Sequence, residues 1–140
     1  MTNAPFALAG IDHVVLRVRD VARARRFYEG VLGCRLERQQ VDIGLWQLRA
    51  GISLIDLVNI DGAIGRRGGA APGTVGRNMD HVALAIRPFD RAAIGAHLAA
   101  HGIAIEGESP DNYGASGESP ALYIRDPDGN MVELMGPGQS

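Results

Sequence analysis

The chain writes one strand twice. "GIDHVVLRV" starts at Gly10 and "NMDHVALAI" starts at Asn78, and each sets an Asp-His pair ahead of alternating apolar residues. This self-similarity constrains the fold strongly. Two copies of one pattern must form the same small unit twice, and each unit must find something on which to bury its apolar face.

In "HVVLRV", Val14, Leu16 and Val18 fall on one face of a strand and His13, Val15 and Arg17 on the other. "DVARARRFYEGVLG" follows as a helix, with Asp20 as N-cap and Gly33 as its left-handed stop. Strands are expected in "CRLERQQV", "LWQLRA" and "ISLIDLV". The second copy repeats the order: strand "MDHVALAI", a helix between Asp90 and Gly102, then strands "IAIEG", "ALYIR" and "NMVELMG". "DPDG" reads as a tight turn; it lacks the spaced carboxylates of a calcium loop. The expected architecture is α+β, one domain of two βαβββ modules at residues 9–61 and 77–136. A glycine-rich linker spans 62–76.

Composition removes several function classes. Of 140 residues, 46% are hydrophobic and 21% charged, which is ordinary for a globular chain. A net charge of −2 gives no electrostatic reason to bind nucleic acid or an anionic membrane. All 14 basic residues are arginine, which reads as codon bias. Cys34 is the only cysteine, so an intrachain disulfide and a thiolate cluster are both excluded. The start lacks a basic signal region and no apolar run is long enough to span a membrane, so a soluble cytoplasmic protein is expected.

Strand parity carries the functional signal. Away from the helix side, the first module shows His13, Val15 and Arg17, then Leu54, Asp56 and Val58. The second shows His81, Ala83 and Ala85, then Tyr123, then Met131, Glu133 and Met135. Each module thus sets one imidazole and one carboxylate on an otherwise apolar floor, where an ionised carboxylate is expensive without a cation or strong donor. Two histidines and two carboxylates suit Zn²⁺, Ni²⁺, Mn²⁺ or Fe²⁺ and leave positions open for a substrate. Arg17 and Arg125 either clamp a substrate carboxylate or rim the sheet, while Ser116 and Met131 complete the candidate substrate contacts. His97 and His101, one helical turn apart, read as solvated side chains. Ser109 to Pro120 reads as a mobile lid or a plain surface loop.

"DHVVLRVRDVARARRFYEGVLGCRL" and "LYIRDPDGNMVEL" resemble the vicinal-oxygen-chelate superfamily of glyoxalases, epimerases, extradiol dioxygenases, fosfomycin-resistance enzymes and bleomycin-binding proteins. The resemblance covers nearly the whole chain and implies curved sheets around a metal cleft, built within one chain or between two exchanged chains of a homodimer. It places the metal ligands on His13, Asp56, His81 and Glu133. Asp56 departs from the pattern, where glutamate or glutamine is commoner. Being one methylene shorter, aspartate ligates weakly, through water, or not at all.

Among the enzyme branches, the ring-cleaving dioxygenases use a histidine acid-base that falls on Ser116, and the fosfomycin enzymes typically use a lysine, which this chain lacks. The resemblance therefore implies glyoxalase-type chemistry on a small substrate that chelates through neighbouring oxygens. Glu133, or Asp56 if unligated, would move the proton, with Tyr123 in the cleft. A dioxygenase remains a second choice. The non-catalytic counterpart is a drug-binding dimer that needs no metal.

Overall fold

The computed structural model describes residues 4–138. Strands β1 (His13–Val18), β2 (Arg35–Gln40), β3 (Leu45–Ala50) and β4 (Ser53–Asn59) form one sheet in the order β1-β4-β3-β2. β5 (Val82–Ala85), β6 (Gly107–Gly114), β7 (Gly117–Arg125) and β8 (Met131–Met135) form a second in the order β5-β8-β7-β6. In each sheet the first strand pairs parallel with the last and the other neighbours are antiparallel. The fold is α+β, with the same βαβββ topology used twice.

The helices start where capping chemistry permits. Helix α1 (Val21–Arg25) opens with the Asp20 carboxylate accepting from the Arg23 amide, and α2 (Arg91–Ala100) opens with Asp90 accepting from Ala93. After α1 the chain widens into a π-helical turn, Arg26–Val31, before Gly33 stops it at φ +79°. This wide turn helps to seat Phe27 and Tyr28 fully in the core.

One core joins the two modules. Leu16, Val18, Phe27, Tyr28, Leu48, Ile55 and Leu57 from the first pack in the same cluster as Leu98, Ile124, Val132 and Leu134 from the second. The helix-side faces of both sheets are therefore covered. The opposite faces keep Val15, Ala83 and Ala85 exposed.

Polar contacts lock the joint. The Tyr28 hydroxyl donates to Asp126 at 2.7 Å, and the Asp126 carboxylate also accepts from the backbone amides of Asp128 and Asn130. The "DPDG" segment is indeed a tight turn, closed by Gly129 N–H to the Asp126 carbonyl at 3.0 Å. The segment between β4 and β5 lies outside both sheets and includes a short 3₁₀ turn, Gly65–Gly68.

Two expectations are corrected. "IAIEG" forms no strand before Gly107: Ile103 and Ile105 pack against the core, and a single ladder-like bond runs from Glu106 N–H to the Tyr123 carbonyl. Apolar alternation there serves packing under the helix. Ser109–Pro120 is not a lid or irregular loop but most of the β6–β7 hairpin, turning at Ala115 and Ser116. Its Pro110 sits on the edge strand at a register irregularity, where a missing N–H breaks no central ladder.

Candidate functional site

The strand pairing sets each carboxylate beside its histidine's strand. Asp56 on β4 pairs with Val15 on β1 and Gln47 on β3. Glu133 on β8 pairs with Ala83 on β5 and Tyr123 on β7. His13 and His81 stand two residues before Val15 and Ala83, and period two returns them to the carboxylate face.

In the second module His81 Nε2 lies 3.2 Å from Glu133 Oε1. Its Nδ1 is 2.6 Å from the Asp80 carboxylate. In the first module His13 Nδ1 is 2.7 Å from Asp12, and Nε2 is 3.9 Å from Asp56 Oδ2. Both imidazoles are therefore held from behind by the preceding aspartate and aim Nε2 at a buried carboxylate, the orientation a metal-binding histidine needs. Asp56 and Glu133 are only 3% and 4% exposed, so each carboxylate faces the desolvation cost foreseen for it.

Electrostatics separates the two halves. The Asp12 hydrogen bond, aided by the Asp56 charge, raises the His13 pKa above the usual imidazole value. Burial raises that of Asp56 against the opposing pull of Gln47 and His13. The Gln47 side-chain amide reaches both Asp56 oxygens, at 3.3 and 3.5 Å. Asp56 is thus partly satisfied by protein donors. In the other half, Asn112 Nδ2 donates to Glu133 Oε2 at 3.0 Å and to the Tyr123 hydroxyl at 2.6 Å.

The donor chemistry fits a divalent ion. Two ligands about 2.1 Å from a common tetrahedral or octahedral metal stand roughly 3.0–3.4 Å apart. The His81–Glu133 spacing of 3.2 Å falls in that range, and the 3.9 Å of His13–Asp56 exceeds it. Among the described residues, no three metal-ligating side chains converge. The four expected ligands stand as two pairs, one per sheet.

A cavity of about 660 Å³ opens beside His81, lined by His81, Tyr123, Met131, Arg77, Arg125, Met79 and Asp80. Tyr123 stands edge-on to the His81 ring, with centroids 6.3 Å apart. Arg125 is at the rim, bonded to Glu106 and to the Gly129 carbonyl, which also accepts from Arg77. Arg17 is employed elsewhere, donating to the carbonyls of Gly65, Gly69 and Ala70. Gly68 permits this, because a Cβ there would come within 2.4 Å of the guanidinium. Ser116, at the hairpin tip, accepts from the Gly138 amide. His97 is exposed but not idle: its Nε2 is 2.7 Å from the Val31 carbonyl, and its ring contacts His101.

Sequence reasoning missed Asp12, Asp80, Gln47, Asn112 and Arg77. The first two were visible in the repeated Asp-His pair. Gln47 shares the parity of Asp56 across a hairpin. Asn112 lies in a segment whose composition reads as loop, and it carries no signal of its own.

Residues 10–134 match the model of the Glyoxalase/Bleomycin resistance protein/Dioxygenase superfamily. The chain belongs to that superfamily. It is 28% identical over 129 residues to Virulence protein STM3117 of Salmonella typhimurium, covering 89% of this chain and 81% of that one. The crystal structure of that protein superposes with a TM-score of 0.73 at 27% identity, over 94% and 99% of the two chains. The superfamily fold extends to lactoylglutathione lyase from Agrobacterium tumefaciens, at TM-score 0.65 and 20% identity over 93% and 95%. It also extends to the fosfomycin resistance protein FosX of Listeria monocytogenes, at 0.66 and 17% over 92% and 91%.

Proposed function

We propose that this superfamily member is a metal-dependent enzyme of glyoxalase type, acting by proton transfer on a small substrate that presents neighbouring oxygens. The observation that carries this reading is the matched pair of half-sites, each a histidine fixed at Nδ1 by an aspartate and facing a buried carboxylate. His13, His81 and Glu133 would hold Zn²⁺, Ni²⁺, Mn²⁺ or Fe²⁺, with Asp56 the weakest or a water-bridged ligand. Bound there, the ion would act as a Lewis acid toward the substrate oxygens. Glu133 while released from the ion, or Asp56 if unligated, would take or return a proton on carbon. Tyr123 would hold a substrate oxygen, and Arg125 would meet a charged group at the rim. Met131 and Met79 supply apolar wall to the cavity beside His81.

The reading includes a homodimer. Because the ligands come as one pair per sheet, we infer that the full set forms between the first module of one copy and the second module of another. The open edges of β1 and β5 support this, as do Ile11 and Ile52, which are 84% and 99% exposed beside a groove of about 470 Å³. A non-catalytic drug-binding dimer is the second reading. It is favoured by the lack of three converging ligands among the described residues.

Metal analysis of protein purified without chelator or nickel resin separates the two. The enzyme reading expects a stoichiometric divalent ion, lost in His81→Ala and weakened less in Asp56→Ala. Unchanged metal content in both His13→Ala and His81→Ala would remove the assigned site and leave the drug-binding reading.

A further inference from the structure

The second half-site contains a device that the first lacks. Asn112, half-buried on edge strand β6, reaches across β7 with its side-chain nitrogen. Nδ2 lies 2.6 Å from the Tyr123 hydroxyl and 3.0 Å from Glu133 Oε2. A primary amide nitrogen carries two hydrogens and its oxygen carries none. Turned over, the amide would set its oxygen against the Glu133 carboxylate with no proton between them, so the carboxylate decides the orientation. The two amide hydrogens are then shared out, one to each acceptor. The Tyr123 oxygen accepts, and its own proton is not used on Asn112.

In the first module Gln47 occupies the strand position facing Asp56 that Tyr123 occupies facing Glu133. Its amide donates straight to the carboxylate and no hydroxyl intervenes. The two halves are therefore chemically unequal. We propose that Asn112 is a positioning residue whose single amide nitrogen ties the Glu133 carboxylate to the Tyr123 hydroxyl, leaving the phenolic proton to donate to a ligand oxygen in the cleft. Glu133 is left with divided duties: Oε2 is held by Asn112, while Oε1 faces His81 at 3.2 Å. The ligand class selected is one with a hydrogen-bond-accepting oxygen beside its chelating group.

The donor role rests on the proposed metal cleft, whereas the bridge does not, and two measurements keep them apart. In metal-free protein, the side-chain amide of Asn112 should give two separated proton resonances in a ¹⁵N correlation spectrum. Tyr123→Phe should move one of them and Glu133→Gln the other. If Tyr123→Phe leaves both in place, the bridge is wrong.

In Co²⁺-loaded protein, oxalate serves as the oxygen probe. Tyr123→Phe and Asn112→Leu should each weaken oxalate binding by about tenfold, the worth of one strong hydrogen bond. The double variant should lose no more than either single one. Losses that multiply, or a Tyr123→Phe protein that binds oxalate as well as the parent, would overturn the donor role. Asn112→Ala, which removes the NH₂ without adding a charge or a bulky apolar group beside Glu133, guards against a packing defect in the leucine variant and should show the same loss. If the parent protein takes up no Co²⁺, the metal reading fails, and the amide resonances alone decide the bridge.

Discussion

Burial is the largest influence on Cys34, Asp56 and Asp128. Cys34 sits against the core, and its thiol is pushed up to about 11, first by burial and then by the Glu29 charge. A thiol with that pKa is almost wholly protonated at neutral pH and makes a poor nucleophile. Iodoacetamide at pH 8 should therefore label native Cys34 at least about tenfold more slowly than the unfolded chain, where the thiol is near its ordinary pKa. The folded state holds this proton more tightly, so stability should fall as pH rises from the unfolded value toward 11.

Asp128 follows the same logic. It is 4% exposed, accepts from the Arg19 amide at 2.9 Å, and keeps Oδ2 without a hydrogen-bond partner. Burial raises its pKa despite the help of Arg19 and Arg23. Asp128→Asn should raise the melting temperature at pH 7. The advantage should shrink as pH falls through the raised pKa, because the native aspartate is then also neutral. Melting curves at pH 7 and pH 4 measure it.

At the scale of elements, the turn between β7 and β8 does more than connect strands. The Asp126 carboxylate accepts from Tyr28 in the first module and from the Asp128 and Asn130 amides in its own turn. Asn78 extends the joint, donating to the Arg17 carbonyl and to Asn130. Tyr28→Phe removes a hydrogen bond to a charged acceptor without changing the shape of the core. It should cost about 1.5–3 kcal/mol in urea unfolding. A smaller loss would mean that the turn is held by its own amides alone.

The β6–β7 hairpin was the least legible element. Proline, glycine, aspartate, asparagine and serine are turn formers when read locally, and five of these types crowd into "SPDNYG". Pairing to β7 overrides that preference, and the edge position tolerates the proline.

For the whole molecule, the arrangement of half-sites makes a sharp prediction. If the site forms between copies, a mixed dimer of His13→Ala and His81→Ala chains holds one intact set of ligands and one doubly damaged set. Co-refolding equal amounts of the two variants, which makes about half of the dimers mixed, should then restore about a quarter of the metal bound by the parent, while each variant alone binds little. If each site lies within one chain, mixing restores nothing. Light scattering at micromolar concentration should report a dimer, and a monomer would exclude the shared site.

The sequence alone determined the elements whose signals are local. Asp20, Gly33, Asp90 and Gly102 mark helix ends by their own capping and left-handed preferences. Period two placed His13, Asp56, His81 and Glu133 on faces opposite the core, and the repeat announced two equivalent modules. Tertiary structure decided what depends on distance across the chain. It kept the His13–Asp56 pair wider than the His81–Glu133 pair, set Arg17 on loop carbonyls rather than in the cleft, and brought Asn112 between Tyr123 and Glu133. The physical reason is the range of the forces involved. Capping and strand parity act within a few residues, so they are written in the order of the chain. A hydrogen bond between residues 112 and 133 exists only once β6, β7 and β8 have paired in register.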